Sequence, residues 1–186
     1  MSKIFIRFGH EKLSNGKLTG TNGILHENTI VNQYATALAE MLKFDGHTVK
    51  TFKPYNGEYA TTSEALTAGA KAANAWGADL FISCHANAYD GVAKGTEVLY
   101  AKSGNKKLAQ NVASRIATTL GTTLRRDGGA YLVSASDFND LRVPNMPAII
   151  IEPFFCDNQS DCNKYKNTSV DDIADAISRG ISVSGY

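Results

Sequence analysis

The sequence predicts an α/β fold: a mainly parallel twisted sheet flanked by helices on both faces. Three observations lead there. Short β-branched and aromatic runs alternate along the chain with longer stretches of helical periodicity. One run, ADLFISC, is apolar without alternation, as a strand covered on both faces should be. Regular strand-helix alternation in turn implies a parallel sheet layered between helices.

The elements follow in order. KIFIRF is the first strand. SNGKLTGTNG, rich in Gly, Asn, Ser and Thr, is a loop. A helix runs from about Glu27 to Phe44, with Val31, Ala35, Leu38 and Leu42 on its apolar face and Gly46 suited to its C-terminal cap. HTVKTFK is the second strand. TSEALTAGAKAANAW is the second helix, with Thr62 or Ser63 as N-cap. ADLFISC is the third strand and TEVLYA another. Asn105 to Leu120 is a third helix, with Leu108, Val112, Ile116 and Leu120 in one stripe. AIII, preceded by Pro144 and Pro147, is a central strand, and Val170 to Ile181 forms the last helix. At 186 residues the chain suits one domain, expected over 1–183, with 184–186 a frayed terminus or the start of a linker.

Composition excludes several classes. The formal net charge is +1, so neither nucleic acid nor an anionic membrane is the expected partner. The basic pairs Lys106-Lys107 and Arg125-Arg126 read as solvated surface. Three cysteines, an odd count, do not make a disulfide framework. No run is long and apolar enough to span a bilayer, and MSKIFIRFGH lacks a signal-peptide core. Synthesis in the cytoplasm is the expectation.

In sheets of this kind ligands bind outside the carboxyl ends of the strands. His10 lies just beyond the first strand, His85 just beyond the third, and Glu152 ends AIIIE. Two imidazoles and a carboxylate are common donors to a catalytic zinc ion. Glu27, at the head of the first helix, is the nearest further carboxylate. It also suits a helix N-terminus electrostatically, and the adjacent His26 is an alternative ligand. His47 stands at the wrong end of its strand. A cysteine nucleophile at Cys84 is the competing chemistry, but neighbours on an extended segment point to opposite faces, so His85 cannot easily serve it. The glycines of NGKLTGTNG lack phosphate-loop spacing.

Four motifs in this order, FGH, NGILHENTIVNQ, ISCHANA and LRVPNMPAIIIEPFFCDN, carry a resemblance. The chain resembles the zinc-dependent N-acetylmuramoyl-L-alanine amidases of bacterial cell-wall hydrolases and phage endolysins (amidase type 3), over nearly its whole length. The resemblance implies zinc held by His10, Glu27 and His85, with Glu152 as catalytic carboxylate. It implies hydrolysis of the peptidoglycan amide between N-acetylmuramic acid and L-alanine. A phage or prophage enzyme made without a signal peptide and acting on the wall after release is then expected, with any wall-binding domain outside this chain. Asn87 is a candidate to bind substrate or to shape a local turn, and Arg142 to line the cleft or form a salt bridge. The sequence departs from the family pattern at Glu11-Lys12, where glycines are usual, and at Phe154-Phe155. A cysteine-dependent cell-wall hydrolase and a non-catalytic wall-binding module are the other readings.

Overall fold

A computed structural model describes residues 1–186. Six strands form one sheet: β1 (Lys3–Phe8), β2 (Thr48–Phe52), β3 (Leu80–Cys84), β4 (Glu97–Tyr100), β5 (Ala130–Leu132) and β6 (Ala148–Glu152). Their order is β2-β1-β3-β6-β4-β5. The pairs β1/β2, β1/β3 and β3/β6 are parallel, whereas β4 meets β6 antiparallel and β5 follows β4. Two strands therefore oppose the other four, so the expected mainly parallel sheet has an antiparallel wing.

Six α-helices cover it: α1 (Glu27–Phe44), α2 (Thr62–Trp76), α3 (Lys106–Leu120), α4 (Asn139–Arg142), α5 (Gln159–Lys166) and α6 (Val170–Ser182). Strand side chains alternate between faces. Ile4, Ile6, Phe8, Leu80, Ile82, Ile149 and Ile151 face one way and join the stripes of α1, α3 and α6 in the larger core. Phe5, Phe81, Leu99 and Ile150 face the other way, against Ala73 of α2 and Leu141 of α4. Helices thus lie on both faces, as expected.

Local chemistry sets the boundaries. Gly46, at φ 90°, follows the end of α1 and takes the left-handed conformation expected of a capping glycine. The α2 cap is Thr61, not Thr62 or Ser63. Its side chain accepts from the Glu64 N–H while Glu64 reaches back to the Thr61 N–H, a reciprocal capping box. At the C-terminus, Tyr186 packs against the larger core.

Candidate metal centre

β1, β3 and β6 are parallel neighbours, so their carboxyl ends come together at one edge. His10 follows β1, His85 follows β3 and Glu152 ends β6. Glu27 opens α1 and is buried. The structure brings three of these groups into contact. His10 Nε2 stands 2.8 Å from Glu27 Oε1, His85 Nδ1 3.3 Å from the same oxygen, and the two ring nitrogens are 3.2 Å apart. Their donor atoms can hold a metal ion.

The backbone here is shaped for that convergence. His10 adopts φ 62°, unusual for a residue with a side chain. Gly9 admits it: a Cβ there would lie 2.3 Å from the Cys84 carbonyl oxygen and 2.8 Å from the His85 ring. Glu27 Oε2 accepts from the Thr21 N–H and Oε1 from the Ala86 N–H, both at 3.0 Å, which fixes the carboxylate. The Tyr34 hydroxyl donates to the His85 carbonyl at 2.8 Å. Thr19 Oγ1 stands 3.3 Å from His10 Nδ1 and donates to Glu11 Oε1 at 2.8 Å. A hydroxyl already donating to Glu11 accepts from His10 Nδ1–H, which leaves the Nε2 lone pair facing Glu27 and His85.

Electrostatics follow from this crowding. Burial pushes the Glu27 carboxyl up, but hydrogen bonds and charge from His10 and His85 outweigh it and hold it well below the usual range. Burial lowers the His85 imidazole, against the Glu27 hydrogen bond and with the His10 charge, which favours the neutral ring that ligation needs. Burial raises the Glu152 carboxyl well above the usual range, and the charges of Glu27 and Glu97 add to it. One Glu152 oxygen, Oε2, is shut off without a partner.

A cavity of about 230 Å³ opens beside the cluster, with His10, His85 and Glu152 on its wall. Thr62, Leu66, Phe138 and Asn139 also line it. Its floor is an ionic network that the sequence reading missed. Arg7 is fully buried and bridges Glu11 (3.3 Å) and Asp140 (3.2 Å). Ser83 donates to Asp140 at 2.6 Å, and Thr62 to Glu11 at 2.7 Å. A charge inside the apolar run KIFIRF was the available signal.

Other singled-out residues fall elsewhere. Asn87 Nδ2 donates to Glu97 at 2.7 Å, and its Oδ1 accepts from the Ala88 N–H at 3.0 Å. Arg142 is exposed, pairs with Asn139 within α4, and stands apart from the cavity wall. His26 is exposed just before α1, and His47 Nδ1 accepts from the Ser2 N–H at 3.4 Å. Cys84 is fully buried, and burial pushes its thiol up to about 12, so no thiolate is available for nucleophilic chemistry. Lys106 pairs with Asp127 at the surface. Arg125 corrects the reading of its pair as plain solvated surface. Its Nε lies 2.9 Å from buried Glu97 Oε2, and its guanidinium covers the Phe155 ring.

The fold and the cluster define an α/β domain whose strand-end crevice can hold a metal ion. The chain belongs to the N-acetylmuramoyl-L-alanine amidase family (Amidase_3), whose model matches residues 4–183. That family is one of hydrolases. The chain is 32% identical over 189 residues to the N-acetylmuramoyl-L-alanine amidase LytC of Bacillus subtilis (strain 168), covering 98% of this chain and 35% of that protein. It is 30% identical over 180 residues to the amidase CwlM of Bacillus licheniformis, covering 97% and 66% respectively. The chain thus spans about a third to two thirds of the length of these relatives. Among solved structures, the catalytic domain of the CD27L endolysin targeting Clostridia difficile superposes with a TM-score of 0.85 at 32% identity, covering 98% of both chains. An N-acetylmuramoyl-L-alanine amidase from Clostridium difficile 630 does so with 0.77 at 29%, covering 98% of this chain and 95% of that one.

Proposed function

We propose that the domain is a zinc-dependent peptidoglycan hydrolase that cleaves the amide joining N-acetylmuramic acid to the L-alanine of the stem peptide. The observation that carries this reading is the meeting of His10 Nε2, Glu27 Oε1 and His85 Nδ1, at 2.8–3.3 Å, beside a cavity lined by His10, His85 and Glu152. Ligands about 2.0–2.1 Å from a tetrahedral zinc ion lie about 3.3 Å from one another, close to these separations. Two imidazoles and a carboxylate suit zinc among the common divalent ions. When bound there, zinc acts as a Lewis acid on a carbonyl and acidifies water.

The residues of the chain divide the remaining work. Glu152 takes a proton from the attacking water and returns it to the departing amine of L-alanine. Thr19 and Glu11 hold the His10 ring in the ligating tautomer. The cavity between α2 and α4 receives substrate beside the cluster. Asn87 ties Glu97 to the segment after His85. Arg142, exposed and paired with Asn139, takes no part in the reaction.

The likeness to the CD27L catalytic domain supports a lytic role at the cell wall. No helix is long and apolar enough to cross a membrane. Incubation with purified peptidoglycan tests the reading. Free L-alanine amino termini should appear without new reducing sugar ends, and chelation should stop their release while thiol alkylation should not. New reducing ends alone would mean a glycosidase and would overturn it.

A further inference from the structure

Only two residues other than glycine adopt a left-handed backbone in this chain, His10 and Arg126. His10 belongs to the metal cluster. Arg126, at φ 50°, lies beside Glu97 of β4, the strand that borders β6 on the side away from β3. Such conformations persist where surrounding structure imposes them, and they concentrate at functional positions.

What surrounds Arg126 is unusual in charge. Glu97 of β4 pairs directly with Glu152 of β6 in the antiparallel register, and both side chains rise from the same face. Direct partners have Cα atoms about 4.5–5.5 Å apart. Glu97 is buried and spends its carboxylate on Arg125 at 2.9 Å and on Asn87 at 2.7 Å. Arg126 Nε lies 3.7 Å from the same Glu97 oxygen, beyond a hydrogen bond. Its guanidinium makes no hydrogen bond within the chain and is laid 4.4 Å over the Tyr131 ring of β5. One carboxylate cannot neutralise two guanidinium groups, so a positive charge is left over. It is half-exposed, seated over an aromatic face, and beside the residue that pairs with Glu152.

A planar guanidinium with open donors matches a carboxylate bidentately. On the two sides of the scissile amide, only the peptide carries free carboxylates, because the muramyl carboxyl is itself consumed in the amide. Resting on the amidase reading above, we infer that Arg126 is a substrate-specificity residue that binds a free carboxylate of the stem peptide on the β4–β5 side of Glu152. Glu97 and Tyr131 position it, and Arg125 balances Glu97 so that Arg126 remains available.

The test uses a pair of muramyl dipeptides in which the side-chain carboxyl of the second residue is amidated in both, and which differ only in its α-carboxyl, free in one and amidated in the other. Rates of amino-terminus release are measured for the wild type, Arg126→Gln, Arg126→Lys and a control, Arg179→Gln, on the exposed face of α6. Charge-assisted hydrogen bonds predict a fall in kcat/KM on the order of 10–100-fold for Arg126→Gln on the free-carboxylate substrate, carried by KM. The fall on the amidated substrate should stay below about threefold. Arg126→Lys should recover part of the loss, and melting temperatures should confirm that each variant is folded. Equal losses on both substrates, or none on either, would overturn the subsite while leaving the amidase reading intact. Failure of the wild type to cleave either substrate would overturn the amidase reading, and the subsite with it.

Discussion

Replacing Arg7 with Met should destabilise the domain about as much as a severe core truncation. Arg7 is 0% exposed, as is Glu11, and Asp140 is 2% exposed. The Met side chain fills much of the same volume but leaves two buried carboxylates without a cation. Removing one partner of a buried ion pair costs about 3–5 kcal/mol. Hydroxyl donors remain, from Thr19 and Thr62 to Glu11 and from Ser83 to Asp140, so the lower half of that range applies. For a domain of this size each kcal/mol lowers Tm by about 2–4 °C, which gives a fall of roughly 6–16 °C. Thermal unfolding of the metal-free proteins at pH 7 measures the fall. A Tm within 2 °C of wild type at pH 7 would refute the reasoning, because it would mean that the network carries no net stabilisation.

Three further outcomes are expected. Glu152→Gln keeps the side-chain shape but removes the proton acceptor, so kcat should fall by about 10²–10⁴-fold while zinc content and folding persist; loss of zinc would make Glu152 a ligand, and retained turnover would make it structural. The same variant reports on pH. The raised Glu152 carboxyl binds its proton more tightly in the folded than in the unfolded chain, so metal-free wild type loses stability as pH rises from about 4 through the folded pKa. Glu152→Gln lacks that loss, so it should melt above wild type at pH 7 and level with it in acid; an equal pH slope would contradict the assignment. Thr19→Val removes the partner of His10 Nδ1 and should weaken zinc binding about 10–100-fold in chelator competition, without loss of stoichiometry.

Much of the fold is written in strong local patterns. The stripe Val31, Ala35, Leu38, Leu42 and the acid at its head place α1, and the uncharged LFISC places β3 at the centre of the sheet. The missed cap at Thr61 was legible, since Glu64 stands three residues on, but three adjacent hydroxyl residues competed for the role. The three-residue β5 was not, because Leu132 is 59% exposed and no alternation marks it. The polar QSDCNKYK of α5 buries only two apolar residues, Cys162 and Tyr165, beside Asp161, too few to set a period. Strand direction was hidden as well, and the reversal of β4 is what sets Glu97 opposite Glu152. His10, Glu27, His85 and Glu152 stood out because the ends of parallel strands converge. Arg7, Glu11 and Asp140 did not, because their pairing joins β1 to α4 across 133 residues of chain.

Zinc content, measured on purified wild type and on His85→Ala after dialysis against excess zinc and removal of free ion, tests the central claim most directly. His85 Nδ1 stands 3.3 Å from Glu27 Oε1 and 3.2 Å from His10 Nε2, so its loss opens one side of the site. One zinc per wild-type chain, with near none in a folded His85→Ala, is the predicted result. Full zinc retention in that variant, or no zinc in the wild type, would contradict the account.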